Sequence, residues 1–290
     1  MKASATLRAP AKLNLTLEVL SRRADGLHNV RSLMIPIDLY DEIAVRPNDG
    51  GFFFECDNPG LTRDNLVVRA LDALELPSME IIVRLKKSIP IGAGMGGGSS
   101  DAAAILLAAI DGRFGALPQK DYLAIARGLG ADVPFFLAQT GALVEGTGER
   151  VTAAGDLPSW HVLIVKPPVA VSTAQAYASL DCRPGTSRPR SGSVSLAALE
   201  ALQRGEFDRL NELLMNDFQT AGLDTQVAVA LAGLREAGAL HPTMTGSGSC
   251  VFALAPDRAQ IDRWAESLVL PDSYTIYRNA MAHLGAWVAT

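Results

Sequence analysis

Pro90-Ile-Gly-Ala-Gly-Met-Gly-Gly-Gly-Ser-Ser-Asp101 decides how the rest of this chain is read. Glu80 to Leu85 reads as a strand running into Lys86 and Lys87. Ser99 to Ile110 is almost wholly Ala, Ile and Leu, which predicts a buried helix. A glycine-rich turn between strand and helix offers backbone amides and a helix N-terminus to an anion, a natural cradle for phosphate oxygens. Five glycines fall between Gly92 and Gly98, more than a tight corner requires. Gly92, Gly94 and Gly97 also satisfy GxGxxG, so a dinucleotide fold has to be weighed. That fold needs a second parallel strand bearing an acidic residue for the ribose. Here the helix runs instead into Asp111-Gly-Arg-Phe-Gly115 and a further helix over Asp121 to Leu129. A Walker loop is excluded because no Lys follows the glycines in the required place. Ser99 and Ser100 suit helix capping as well as contact with phosphate or magnesium.

Outward from this loop, Leu13, Leu15, Leu17 and Val19 alternate with Asn14, Thr16 and Glu18. That period of two predicts a half-buried strand, with Lys12 on the face of Asn14. Ser32 to Val45 reads as extended chain, Asp64 to Leu76 as an amphipathic helix, and Gly141–Val144 with Glu149–Thr152 as a hairpin. Beyond the Gly, Asp and Pro of 153–159 come a strand, Trp160 to Lys166, and helices over Thr173–Leu180, Ser195–Gln203, Glu206–Phe218 and Thr225–Ala237. Val251–Ala255 and Tyr274–Tyr277 are expected as a strand pair closing a second lobe. The insert 182–193, rich in Pro, Gly, Ser and Arg, reads as a mobile solvated loop. Strands and helices interleave without strict alternation, which favours an α+β sandwich. A chain of 290 residues suggests two lobes around a cleft, and the boundary is set between 1–156 and 157–290.

With 48% hydrophobic and 20% charged residues the composition is that of a soluble globular protein. A net charge of -5 supplies no field for nucleic acid or an acidic membrane, so an anionic ligand must be held locally. Cys56, Cys182 and Cys250 are dispersed and without metal-like spacing, which fits a reducing cytoplasm. Lys2, Arg8, Pro10 and Lys12 interrupt the N-terminus, and neither a signal peptide nor a membrane span is expected.

The 90–103 segment resembles the phosphate-binding motif of the GHMP kinases, PxxxGLGSS followed by small residues, lengthened here to Gly94-Met-Gly-Gly-Gly-Ser-Ser-Asp-Ala-Ala103. Its GGGSS-D/N-AA form is similar in particular to the members that phosphorylate diphosphocytidyl-methylerythritol. Ala9-Pro-Ala-Lys-Leu-Asn-Leu15 resembles the first motif of these kinases, Arg23-Ala-Asp-Gly-Leu-His28 their RxDGYH, and Met244-Thr-Gly-Ser-Gly-Ser-Cys-Val-Phe252 the third motif. Gly130-Ala-Asp-Val-Pro-Phe-Phe136 matches as well, and the segments run in family order over most of the chain.

The resemblance implies an α+β, two-lobed GHMP kinase fold: an N-terminal lobe like ribosomal protein S5 domain 2 that binds ATP, and a C-terminal ferredoxin-like α/β sandwich. It implies ATP as co-substrate with Mg2+, metal ligands unassigned, and a small-molecule acceptor bearing cytidine diphosphate. Nucleic acid and membrane partners are not expected, and the chain is expected to be a monomer or weak homodimer. Asp132 is implied as the base and Lys12 as the neighbouring cation; from the residues themselves, Asp132 suits an N-cap beside Pro134 and Lys12 a solvated strand position. ATP and its phosphates are assigned to Pro90, Gly92, Gly94, Met95, Gly96, Gly97, Gly98, Ser99, Ser100, Gly246, Ser247 and Gly248, with Asn65 and Lys87 aligned more loosely. The acceptor is assigned to Asn14, His28, Thr173 and Tyr177, with Tyr177 either stacking on the base or packing its helix. The family's usual Tyr before the His is Leu27 here. The alternatives are another GHMP kinase acting on mevalonate, homoserine or a sugar, and a catalytically inactive nucleotide sensor on the same fold.

Overall fold

The computed structural model describes residues 4–62, 64–76, 80–115, 117–182, 192–220 and 223–282, and the backbone of 288–289. The insert expected to be mobile lies, over 183–191, outside the described residues.

The first lobe is a mixed sheet laid on helices. Its strands are β1 (Ala5–Asn14), β2 (Thr16–Arg22), β3 (His28–Pro47) and β4 (Phe53–Cys56), followed after α1 (Leu66–Ala73) by β5 (Ile81–Lys86). Helices α2 (Gly97–Ile110), α3 (Tyr122–Leu129) and α4 (Val133–Leu137) come next, then the hairpin β6 (Ala142–Gly146) and β7 (Arg150–Ala153). The long β3 organises the sheet, because its first half pairs with β2 and β6 and its second half with β1 and β5. Among the described residues no strand follows α2 before α3, so the dinucleotide-binding βαβ arrangement is not seen there.

The second lobe begins with β8 (His161–Lys166), α5 (Thr173–Asp181), α6 (Ser193–Gln203), α7 (Phe207–Glu212), β9 (Met215–Asn216) and α8 (Thr225–Glu236). It ends with β10 (Thr243–Met244), β11 (Val251–Ala255), α9 (Arg258–Ser267) and β12 (Thr275–Ala280), and β13 (Val288–Ala289) returns to pair with β1. The second sheet is antiparallel in the order β10-β11-β8-β12. The strands expected as a pair, β11 and β12, are therefore separated by β8. The alternation of β8 explains its central place: Val162 and Ile164 join the core between the lobes, whereas Leu163 and Val165 join the core under α8 and α9. A strand buried on both faces needs apolar residues throughout, as His161–Lys166 nearly provides.

Two other expectations change. The helix expected over 206–218 stops at Glu212; Met215 and Asn216 then pair in parallel with Thr16 and Leu17, which commits that backbone to the first sheet. The polar side of 13–19 is also not solvated, since Asn14, Thr16 and Glu18 are as buried as the leucines between them. The second lobe covers it: Thr16 Oγ1 donates to Ser195 Oγ at 2.7 Å, and Glu18 accepts from the Ser195 amide at 2.9 Å. No helix among the described residues is long and apolar enough to cross a membrane.

Candidate active site

A register irregularity between Pro10 and Ala11 places Lys12. Leu7 and Ala9 belong to the core under α1–α4, but Ala11, Leu13 and Leu15 belong to the core shared with the second lobe. The alternation thus reverses phase, as expected where an irregularity bends and twists a strand, and Lys12 and Asn14 come to the cleft side. Lys12 is buried, and its Nζ donates to Asn14 Oδ1 at 2.5 Å. The same ammonium lies 3.8 Å from Asp132 Oδ2. Burial draws the Lys12 pKa below its ordinary value and the Asp132 charge partly restores it. Asp132 stands at the N-cap position of α4, yet its side chain makes no capping hydrogen bond and is 38% exposed toward the cleft.

The glycine loop runs up to α2 beside this pair. The helix begins at Gly97, with Gly96 as its N-cap at φ +70, so Ser99 and Ser100 lie inside the first turn rather than capping it. No side chain caps this terminus and its first turn holds no acid, which leaves the opening amides available to an anion. Met95 is a core side chain and takes part through its carbonyl, which accepts from the Lys12 amide at 3.0 Å. Ser100 Oγ and Asp101 Oδ1 are buried without a hydrogen-bond partner among the described residues.

The loop 244–249 from the second lobe meets the first back to back. Thr245 Oγ1 donates to Gly94 O at 3.2 Å, while Asn14 Oδ1 accepts from the Gly246 amide at 2.8 Å. Asn14 Nδ2 donates to Ser32 Oγ at 2.8 Å, so the Asn14 amide ties the two lobes together. Asn216, which the sequence reading placed inside a helix and gave no role, donates to the carbonyls of Met244 and Gly246 at 2.7 and 2.8 Å. Ser247 Oγ lies 3.0 Å from Thr173 Oγ1. Gly94 has φ +74, and a Cβ there would meet Thr245 O at 2.2 Å. Gly112 has a similar φ of +71 with nothing within 4 Å. Gly94→Ala is therefore expected to lower stability by about 2–4 kcal/mol, against about 1 kcal/mol for Gly112→Ala, which carries only the backbone term. Urea unfolding of both variants separates the clash from the backbone conformation.

The remaining expected residues fall into two groups. Asn65 caps α1, accepting from Val67 N at 2.9 Å and donating to Leu61 O at 2.8 Å. Lys87 is buried between Asp41 and Asp101, bonded to the first and 2.6 Å from the second. Its charge is thus largely neutralised within the protein. At the other end, Arg23, Asp25 and Gly26 form the β2–β3 turn: Leu27 N donates to Asp25 Oδ1 at 3.1 Å and Arg23 N to Leu27 O at 2.7 Å. This turn delivers His28. The His28 ring stacks on Tyr177 with centroids 4.6 Å apart, and Phe218 meets Tyr177 edge-on at 4.8 Å. A base can enter between His28 and Tyr177 only if those rings part. Leu27 is exposed at the rim. One cavity of about 980 Å³ joins these groups, from Lys12, Asp132 and the glycine loop to His28 and Tyr177. That volume is at the upper end for a single small-molecule site.

Residues 65–140 match the family described as GHMP kinases N terminal domain, and residues 198–271 match GHMP kinases C terminal. A 4-diphosphocytidyl-2-C-methyl-D-erythritol kinase of Citrifermentans bemidjiense is 40% identical over 259 residues, covering 86% of this chain and 88% of that relative. The one of Geobacter sulfurreducens is 37% identical over 271 residues, 91% and 94% of the two chains. Among solved structures, a 4-(cytidine 5'-diphospho)-2C-methyl-D-erythritol kinase superposes with a TM-score of 0.78 at 35% identity, covering 96% of this chain and all of the other. Homoserine kinase from Cytophaga hutchinsonii, 20% identical with a TM-score of 0.71 over 98% and 97% of the chains, shares the fold. The chain belongs to the GHMP kinases and, within them, to the 4-diphosphocytidyl-2-C-methyl-D-erythritol kinases.

Proposed function

We propose that the protein transfers the γ-phosphoryl group of ATP to the 2-hydroxyl of 4-diphosphocytidyl-2-C-methyl-D-erythritol, giving the 2-phosphate and ADP, a step of non-mevalonate isoprenoid precursor synthesis. The observation that carries the chemistry is the Lys12–Asp132 pair, 3.8 Å apart in a cleft between two glycine loops. Phosphoryl transfer asks the protein mainly for alignment and charge neutralisation, with a carboxylate placed to take the hydroxyl proton. Asp132 is uncapped and open to the cleft, so its oxygens are available for that proton. Lys12 places a positive charge beside the developing alkoxide. The amides of Gly96 to Gly98 receive phosphate oxygens, joined from the Gly246–Gly248 loop by Ser247, since the amides of Gly246 and Gly248 are already bonded to Asn14 Oδ1 and Thr245 O. His28, Thr173 and Tyr177 hold the cytidine end. Asn14 acts on the acceptor side by fixing Lys12.

Magnesium accompanies the nucleotide and, when bound, neutralises charge on the phosphoryl oxygens. Among the described residues no group of three or more His, Cys, Asp or Glu is arranged to hold a metal. Phosphate oxygens would supply most of its ligands, with Ser99, which lines the cavity in the first turn of α2, the hydroxyl side chain that would stand beside them. The division into 1–156 and 157–290 goes with this reading, with the ATP residues mainly before it and Thr173 and Tyr177 after it. A monomer or weak homodimer in a reducing cytoplasm is the setting we assign, supported by three free cysteines.

An acceptor panel tests the reading. ATP with magnesium is offered with diphosphocytidyl-methylerythritol, mevalonate, homoserine or galactose, and ADP release is followed. ADP is expected with the first acceptor alone, and chelation of magnesium should abolish it. A higher kcat/KM on another acceptor would replace the assignment, and no ADP with any of them would favour the nucleotide sensor.

A further inference from the structure

His28 has one ring nitrogen already committed. Its Nε2 lies 2.8 Å from Asp181 Oδ1, and the side chain is only 7% exposed, so the ring has little room to turn. An ionised carboxylate can only accept, which puts the proton on Nε2. In the neutral ring Nδ1 is then a lone-pair acceptor, and it has no protein partner among the described residues. Tyr177 and Asp181 are four residues apart on α5 and so share one helix face, the one that meets His28 by stacking and by this hydrogen bond. Arg22 Nε, 3.6 Å from Asp181 Oδ2, supports the carboxylate from the other side.

We infer that Asp181 is a positioning residue for His28 and, through it, sets the preference of this site for cytosine over uracil, an inference that rests on His28 being the base contact. An acceptor nitrogen matches the exocyclic amine of cytosine, which donates. It opposes the corresponding carbonyl of uracil, which brings a second lone pair. Without the carboxylate, the proton can move to Nδ1 and the distinction is lost. Nothing in the sequence marks Asp181, which lies 153 residues from His28.

The test is direct binding of CDP and of UDP, with the ATP site filled by a non-hydrolysable analogue, to the wild type, Asp181→Ala and Asp181→Asn. The wild type should prefer CDP. Asp181→Ala should weaken CDP about tenfold, leave UDP nearly unchanged and bring the preference close to one. Asp181→Asn still presents an oxygen to Nε2–H and should retain most of the preference, which a loss of folding would not allow. Undiminished preference in Asp181→Ala overturns the inference, as does an equal loss for both nucleotides or for both variants. A wild type that binds CDP and UDP alike also overturns it. Failure of the proposed reaction would instead be read from the acceptor panel, where no nucleotide preference is measured.

Discussion

Asp132→Asn is expected to lower turnover by about 10²-fold or more while leaving the fold and ATP binding in place. The amide has the shape of the carboxylate but cannot take a proton at neutral pH. Because the Asp132 side chain makes no capping hydrogen bond, no helix start depends on its charge. Lys12 would lose the partner that offsets its burial, so its pKa should fall further and the cleft should lose positive character. Both effects act where the acceptor hydroxyl deprotonates, and kcat and kcat/KM should fall together, as for an interaction made in the transition state. Steady-state kinetics at saturating ATP, with an ATP-analogue titration alongside, make the check. Turnover near that of the wild type would remove Asp132 from the role of base, and an effect on KM alone would make it a binding residue.

The second large effect is on stability and comes from behind the glycine loop. Lys87 is closed in with Asp41 and Asp101, and Asp41 Oδ1 also accepts from the amides of Ser88 and Ile89 at 2.6 and 2.9 Å. Lys87→Met keeps most of the volume but leaves two buried carboxyls without their cation, and a loss of about 3–5 kcal/mol is expected. Burial pushes the Asp101 carboxyl up to about 8, against the pull of Lys87. Between its ordinary range near 4 and that value, the folded protein holds a proton that the unfolded chain releases. The contribution of Asp101 to stability is therefore complete below that range and is lost as pH rises toward 8. Removing Lys87 raises the carboxyl further, so at pH 5.5 protonation relieves part of the loss and at pH 8 less of it. Urea unfolding of Lys87→Met should show a greater loss at the higher pH. Equal losses at both would assign the effect to packing rather than to unpaired charge. Gly97 lies over this cluster, with room for a Cβ only 3.2 Å from Lys87 Nζ and 3.3 Å from Asp41 Oδ2, so the triad also underpins the start of α2.

The order of elements was readable because short-range periodicity carries it. Ile81–Lys86, Gly97–Ile110 and His161–Lys166 each announce themselves within their own length. Where the reading erred, a distant partner overrode a local preference. Met215 and Asn216 sit in a stretch with helical character, but pairing with Thr16 and Leu17 draws them into the first sheet. Thr16 and Glu18 look solvent-facing in a two-residue alternation and are buried because α6 lies across them. Helix α9, with Ile261 and Trp264 as its buried residues, was not anticipated, since it carries few apolar positions among many charges.

For the site, local sequence was enough for the glycine loop, whose left-handed Gly94 and Gly96 few other residues could replace, and for the pairing of Lys12 with Asn14 two residues away on one strand face. Those features are encoded within a few residues of where they act. It could not supply the strand irregularity that turns Lys12 into the cleft, the Asn14 bond to Gly246 across 232 residues, or the Asp41–Lys87–Asp101 cluster. Nor could it supply the carboxylate of Asp181 against His28. Each of these depends on side chains from separate elements meeting at hydrogen-bond distance, and that distance is set by how two sheets and their helices pack rather than by any residue's neighbours in the chain.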